Sequence, residues 1–319
     1  MELILIASSY KLSEKGRKRR EFMSRNRVIK ILLLILIFVF GGMAFLVAAQ
    51  PRKVEPVRME KLSPRLYQIL GGRGANGGFY VGDDGVLVID AKMTKESVEQ
   101  TLAEIKKITT KPIKYLVNTH SDGDHVAGNR FFPPSVLIVA HENCRREFFH
   151  PRRDGQPSEW TKPELAPFVP SLTYQQKMTI YLGSQEVELW YFGVGHTTGD
   201  TVVYFPEEKI AFLGDQIFIG RPQLIHAYKG GNSFEHVKTL RRMLDTLEAQ
   251  LFCSGHAQPV DRQTIEEHIK AMQSFQKKII RLIDQGLSLE EIKTKFTDEE
   301  SRLVEVVVNE VQAMKKEKK

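Results

Sequence analysis

Short apolar runs, each bounded by glycine, aspartate or proline, recur between residues 77 and 256 and predict a long series of β-strands. The runs "GGFYV" and "VLVIDA" are joined by Asp83-Asp84-Gly85, which predicts a β-hairpin with a positive φ at Gly85. Further runs of the same kind are "IKYLV", "SVLIVAH", "MTIYLG", "QEVELW", "DTVVYFP", "KIAFLG" and "AQLFC".

Between and after these runs, apolar residues recur at three- and four-residue spacing, which predicts helices. The first begins after Thr94, a predicted N-cap, and the others cover residues 233–247, 260–283 and, as two helices, 287–316. Residues 145–175 lack any such period and predict a long loop of the kind that often forms a binding loop or lid. Groups of strands separated by helices are typical of a layered α/β sandwich.

The N-terminal segment predicts export from the cytoplasm. Residues 31–49 are a 19-residue run without a charge behind a basic stretch, and about 20 apolar residues can cross a bilayer. The run ends in "VAA", which suits signal peptidase, so residues 1–49 predict a signal peptide or signal anchor. The pattern favours cleavage after Ala49 over a retained anchor, and a start at Met23 would give a shorter basic leader.

The charge pattern agrees with export and argues against a nucleic-acid partner. Of the net charge of +7, residues 1–49 carry +6, from nine Lys/Arg and three Glu, so the remaining 270 residues carry +1. The basic flank stays in the cytoplasm, and the body is expected in the periplasm or outside the cell. Membrane contact is expected only through residues 31–49 if they are uncleaved. The expected partner is a small-molecule substrate, and the sequence indicates no oligomeric state.

The two cysteines, Cys144 and Cys253, lie outside any CxxC pair, so no structural zinc knuckle is predicted. We expect both to be small buried residues. An exported chain would also permit a disulfide between them.

Four predicted strands end in a residue that can bind a metal. A lone histidine at a strand end is usually a structural, hydrogen-bonded residue, but four such ends predict a shared site because the loops that follow strands line it. These residues are His120, His196, Asp215 and His256, and the loop "SDGDH" adds Asp122, Asp124 and His125. Seven imidazole and carboxylate ligands suffice for two metals with a bridging carboxylate, and zinc suits such donors.

A calcium loop beginning at Asp122 is excluded by the residues that follow. An EF-hand would need an oxygen ligand, a glycine and a glutamate at places where the chain has Val126, Ala127 and Pro133.

The motifs "THSDGDHVAGN", "GHTTGD", "FLGD" and "SGH", in this order, resemble the metal-binding motifs of the metallo-β-lactamase superfamily. The segment "GGFYVGDDGVLVIDA" also resembles the opening strands of that family. The resemblance covers residues 57–275 and implies a four-layer αββα sandwich with a dinuclear metal site at one edge. A linker at residues 50–56 would precede this domain, and a C-terminal helical extension at residues 276–319 would follow it.

Carried over by position, the resemblance implies two metal sites. One is held by His120, Asp122 and His196; the other is held by Asp124, His125 and His256, with Asp215 bridging. Most members have a second histidine where this chain has Asp122. An aspartate there makes the first site harder and more anionic, which reduces the advantage of zinc. We therefore expect two divalent ions, zinc before iron or manganese.

The resemblance implies an exported hydrolase in which hydroxide attacks an ester, lactone, thioester or β-lactam type bond. Asp124 would ligate a metal, orient the nucleophile and later pass a proton to the leaving group. His226 is a candidate for substrate contact, although an ordinary loop histidine explains it equally well. Two alternatives stay open: a carboxylate-rich diiron redox protein, and a metal-binding module without turnover.

Overall fold

The first β-sheet of the protein has seven strands that follow one another in chain order. The computed structural model describes residues 54–152 and 154–317. The strands are β1 (Arg58–Lys61), β2 (Leu66–Leu70), β3 (Gly77–Val81), β4 (Val86–Ile89), β5 (Ile113–Val117), β6 (Leu137–His141) and β7 (Leu172–Tyr174). Strands β1 to β4 pair antiparallel, whereas β4 to β7 pair parallel.

The second sheet has six strands in the order β13-β12-β11-β10-β9-β8. They are β8 (Lys177–Leu182), β9 (Gln185–Trp190), β10 (Val202–Phe205), β11 (Ile210–Phe212), β12 (Leu251–Cys253) and β13 (Val260–Asp261). Among the described residues of this sheet, β11 and β12 pair parallel, whereas all other neighbouring strands pair antiparallel.

Helices cover the outer faces of both sheets. They are α1 (Lys95–Ile108), α2 (Gly123–Val126), α3 (Glu142–Glu147), α4 (Ser233–Thr246), α5 (Arg262–Asp284), α6 (Leu289–Lys293) and α7 (Ser301–Glu317). The predicted N-cap of α1 is confirmed, since the Thr94 side chain accepts a hydrogen bond from the Ser97 amide.

Alternation along the central strands explains the layers. In β4, Leu87 and Ile89 face the core between the two sheets, whereas Val86 and Val88 face the layer that contains α1. The same alternation in β10 places Val203 between the sheets and Val202 under α4, α5 and α7. Both faces of β4 and β10 are therefore buried, and the predicted αββα sandwich is confirmed.

The C-terminal helices share the core of the second sheet. The boundary predicted between residues 275 and 276 falls inside α5, and Ile269 and Ile279, on either side of it, belong to one cluster with Val304 and Val308 of α7. Residues from 276 onward are thus a continuation of the outer helical layer and pack on the domain directly.

Three local expectations need correction or completion. The hairpin between β3 and β4 is present, but φ at Gly85 lies outside the left-handed region; a Cβ there would instead lie 2.7 Å from the side chain of Lys114. Residues 145–175 are less irregular than predicted, since they contain β7 and short 3₁₀ turns. Cys144 and Cys253 are buried and free, without a disulfide between them.

The predicted signal or anchor segment and its linker up to residue 53 lie outside the described residues. Among residues 54–152 and 154–317, none of the helices combines the length and the hydropathy that a membrane span needs.

Candidate metal centre

The loop after β5 presents four of the predicted ligands in one turn. Strand β5 is buried in the first sheet, and the short helix α2 follows it within six residues. Asp122 is the N-cap residue of α2, but its carboxylate makes no capping hydrogen bond and turns into the site. The turn holds His120, Asp122, Asp124 and His125.

The second sheet supplies the other three predicted ligands, each just beyond the end of a strand. His196 follows β9, Asp215 follows β11 and His256 follows β12. Because the parallel strands β11 and β12 end at the same edge, Asp215 and His256 meet there, with their Oδ2 and Nε2 atoms 3.2 Å apart.

The structure brings the seven side chains together as two adjoining groups. The first group is His120, Asp122, His196 and Asp215, and the second is Asp124, His125 and His256. In the first, Asp122 Oδ2 lies 3.3 Å from His196 Nε2 and 3.6 Å from His120 Nε2. In the second, Asp124 Oδ2 lies 3.2 Å from His256 Nε2 and 3.8 Å from His125 Nε2.

Asp215 lies between the two groups. Its Oδ1 is 3.1 Å from His125 Nε2 in the second group, and its Oδ2 is 3.9 Å from His120 Nε2 in the first. Because Oδ2 also lies 3.2 Å from His256 Nε2 of the second group, the carboxylate lies close to histidines of both groups, which is the position that a bridging ligand requires.

In two of the histidines, the hydrogen bond of the Nδ1 atom favours metal binding by the Nε2 atom. His125 Nδ1 lies 2.7 Å from Asp90 Oδ2, and His196 Nδ1 lies 2.8 Å from the carbonyl oxygen of Leu224. Since both partners are acceptors, each Nδ1 carries a proton, so the lone pair that becomes available when the ring loses its second proton is on Nε2. Among the described residues, the buried atoms His120 Nε2, His125 Nε2 and Asp215 Oδ1 have no hydrogen-bond partner. Buried polar atoms of this kind fit a bound metal.

Two glycines make room for this packing. A Cβ on Gly255 would lie 2.6 Å from Asp215 Oδ1 and 2.7 Å from His125 Cε1, so a larger residue would displace both ligands. Gly214, with φ of +53°, would bring a Cβ within 2.5 Å of Thr119 Oγ1.

The site keeps its carboxylates ionised. Burial raises the pKa of Asp122, but the neighbouring imidazoles of His120, His196 and His226 outweigh burial and hold the pKa well below its usual value. Burial likewise lowers the pKa of His196, yet the hydrogen bond with Asp122 outweighs it and raises the pKa to about 9. Before metal binds, the imidazoles therefore compensate the carboxylates, and a metal replaces their protons.

Two side chains of the second group are partly exposed. Asp124 keeps 33% of its side chain exposed and His256 keeps 27%, whereas the first-group histidines are buried. Beside the metal loop lies a cleft of about 590 Å³, lined by Ser121, Glu147, Arg152, Trp160, Lys162 and Lys229, among others. The 145–175 segment thus forms one wall of this cleft.

His226, a predicted candidate for substrate contact, contacts Asp122 in the structure. It is 5% exposed, and its Nε2 lies 2.7 Å from Asp122 Oδ2. The histidine therefore touches a candidate ligand directly.

Sequence reasoning missed the partners of the candidate ligands. Asp90 holds His125, and Lys229 Nζ lies 2.6 Å from both Asp122 Oδ1 and Ser121 Oγ. Glu147 accepts hydrogen bonds from Ser121 and Thr198. Of these partners, Asp90 in "LVIDA" is the one that the sequence could have indicated, because an aspartate at the end of a buried strand needs a partner.

His236, on helix α4, supports the loop beside Asp215. Its Nε2 donates to the Gln216 carbonyl oxygen at 2.6 Å, and burial, with help from His268, lowers its pKa to about 3. Between pH 6.5 and pH 3 the unfolded chain binds a proton at this residue that the folded chain does not, so stability falls as pH falls. We expect His236→Gln to remove about 2 kcal/mol of the stability difference between pH 7 and pH 5.

Urea unfolding of metal-free wild type and His236→Gln at both pH values measures this difference. Equal pH dependence in the two proteins would show that His236 is not buried in its neutral form.

Comparison with known proteins gives a family match. A model of the metallo-beta-lactamase superfamily matches residues 70–256. The alpha subunit of 2,4-dinitroanisole O-demethylase from Nocardioides sp. is 27% identical over 190 residues, 58% of this chain and 53% of that protein. The chain spans about half the length of that relative. The type 2 metallo-beta-lactamase of Elizabethkingia meningoseptica is 24% identical over 233 residues, 70% of this chain and 87% of that protein.

Solved structures agree in fold. A metallo-beta-lactamase from Pontibacter korlensis has a TM-score of 0.57 at 21% identity, covering 68% of this chain and 99% of that one. The DIM-1 metallo-beta-lactamase has a TM-score of 0.58 at 20% identity, covering 70% and 99%. At these identities, the likeness concerns the fold alone.

Proposed function

Because the chain belongs to the metallo-β-lactamase superfamily, we propose that it is a dinuclear metal-dependent hydrolase of ester, lactone, thioester or β-lactam type bonds. One observation carries the proposal: two adjoining groups of imidazoles and carboxylates share Asp215, with buried Nε2 atoms that no hydrogen bond satisfies among the described residues. This donor set suits divalent zinc, and the carboxylate of Asp122 keeps iron or manganese as alternatives.

In the proposed reaction, the bound metals and the side chains of the protein would have separate roles. Two bound cations would lower the pKa of water toward neutrality and stabilise the oxyanion that forms on the substrate. Asp124 is a partly exposed carboxylate of the second group, with 33% of its side chain exposed. Burial raises its pKa, but the hydrogen bond with His256 outweighs burial and lowers it, so Asp124 can accept a proton and return it to the leaving group. Asp90 and the Leu224 carbonyl hold His125 and His196 in the tautomer that binds metal.

The test is metal analysis joined to a substrate panel. Protein purified without a chelating tag is expected to hold about two metals per chain and to lose turnover when a chelator removes them. The panel contains nitrocefin, nitrophenyl esters, a lactone, a thioester and 2,4-dinitroanisole, the last because of the name of one relative. Two bound metals without turnover of any acyl substrate would favour the metal-binding module instead.

The diiron alternative has a distinct signature. Its support is the carboxylate-rich first group, where Asp122 adds a third acid to the site. Iron in the protein as isolated, with a spectrum that changes on anaerobic reduction, would favour it. Zinc-loaded protein with full hydrolytic turnover would exclude it.

We also propose that the protein is exported, with residues 1–49 as a signal peptide that is cleaved after Ala49. The uncharged run at residues 31–49 and the basic flank before it support this proposal. Mass spectrometry of the mature protein from a bacterial host is expected to find Gln50 as the first residue, in the fraction outside the cytoplasm. An intact N-terminus in the membrane fraction would indicate a retained anchor.

A further inference from the structure

The first turn of helix α7 contacts a histidine that lies beside the first metal group. The helix packs on the domain core through Val304, Val307 and Val308. In its first turn, Arg302 Nη2 lies 3.2 Å from His226 Nδ1, although the two residues are 76 positions apart. A residue of the C-terminal helix therefore contacts a histidine that itself contacts Asp122.

The contact with Arg302 fixes which nitrogen of His226 carries the proton. A guanidinium group only donates hydrogen bonds, so His226 Nδ1 must accept and carry no proton. The proton of the neutral ring is then on Nε2, which donates to Asp122 Oδ2 at 2.7 Å. In this tautomer, Nε2 is a donor to a ligand and has no lone pair for a metal.

Asp122 is held from two sides. His226 donates to Oδ2, the oxygen that also faces His196 and His120. Lys229 Nζ contacts Oδ1 at 2.6 Å. One oxygen is thus turned toward the other ligands of the first group, and the second oxygen is bound by a cation.

We propose that Arg302, His226 and Lys229 are positioning residues that orient Asp122 as a metal ligand, and that α7 is thereby part of the metal centre. The inference rests on the metal sites of the proposed function and goes beyond them, because it assigns a role to residues of the C-terminal helical layer. An aspartate has a shorter side chain than the histidine that most members carry at this place, so its two oxygens need partners on either side to keep one direction.

The experiment measures the tautomer of His226 and the affinity of each metal site. In metal-free wild type, nitrogen-15 NMR of the imidazoles is expected to show the proton of His226 on Nε2. Arg302→Met and His226→Phe are expected to weaken binding of one metal by about 10- to 100-fold, the usual effect of losing a partner of a metal ligand. Binding of the second metal is expected to stay unchanged.

Two further variants separate positioning from general packing. His226→Gln keeps an acceptor for Arg302 and a donor for Asp122, so it is expected to bind both metals within a few-fold of wild type. Lys315→Met is the control, since Lys315 lies on α7 and forms an exposed ion pair with Asp284. It is expected to change neither metal affinity.

Three results would overturn the inference: the His226 proton on Nδ1, wild-type affinity for both metals in Arg302→Met, or equal weakening in Lys315→Met. Failure of the proposed function has a different signature. Wild-type protein that binds no metal would remove both proposals. A wild type with two metals and turnover, together with unaffected Arg302→Met, would remove the inference alone.

Discussion

Asp215→Asn is expected to lower kcat/KM on the order of a thousandfold or more and to reduce the bound metal to less than one per chain. Asp215 is the carboxylate that touches ligands of both groups, with Oδ1 near His125 and Oδ2 near His120 and His256. An amide has nearly the same shape but no charge, so the substitution removes the electrostatic attraction for two cations at once. A single bound metal would then activate water without the second metal.

Elemental analysis and steady-state kinetics on the best substrate of the panel measure the two effects. The matched control is Asp84→Asn, which removes a carboxylate from the surface ion pair with Lys114 and is expected to change neither. Two tightly bound metals and near wild-type turnover in Asp215→Asn would show that Asp215 does not bridge.

Four of the candidate ligand residues could be brought together from sequence because they share a local pattern. A buried strand reveals itself as a short apolar run, and His120, His196, Asp215 and His256 follow such runs within six residues. Parallel strands end at one edge of a sheet, so residues at these ends meet without any knowledge of the loops. The layers of the sandwich could also be predicted, because apolar residues recur at different spacings in strands and in helices.

The partners of the ligands could not be predicted, because their residue types are ordinary at their positions. Lys229 ends a one-turn 3₁₀ helix, Ala227–Lys229, and Arg302 lies in an amphipathic helix, and at both positions an exposed cation is the usual expectation. Their contacts, to Asp122 and His226, span 107 and 76 positions. The predicted boundary at 275/276 falls inside α5 for a related reason: the motifs of the resemblance end near His256, whereas the core continues into α7.

Asp122 and Lys229 form an ion pair whose charges compensate each other. A neutral histidine carries no charge to compensate, whereas a buried carboxylate requires a cation nearby. Lys229 is 11% exposed and Asp122 13% exposed, with 2.6 Å between Nζ and Oδ1. Burial lowers the pKa of Lys229, but Asp122 raises it by more, so the amine stays charged. The pair as a whole is neutral, as a histidine would be.

Asp122→His is therefore expected to destabilise the metal-free protein by about 3 kcal/mol, although it restores the usual pattern of the family. Removing one partner of a buried ion pair leaves the other charge uncompensated, which typically costs about 3–5 kcal/mol. We expect the lower end because both side chains keep some exposure and because Ser121 Oγ remains 2.6 Å from Lys229 Nζ.

The double variant Asp122→His/Lys229→Met separates this charge effect from the loss of packing. Removing the cation as well is expected to recover about 2 kcal/mol, since no buried charge is then left without a partner. Urea unfolding of wild type, both single variants and the double variant, all in chelator, gives the coupling energy directly. Additive effects of the two substitutions would show that Lys229 does not compensate Asp122. A coupling of the expected size would mean that an aspartate at this position depends on a lysine 107 residues away.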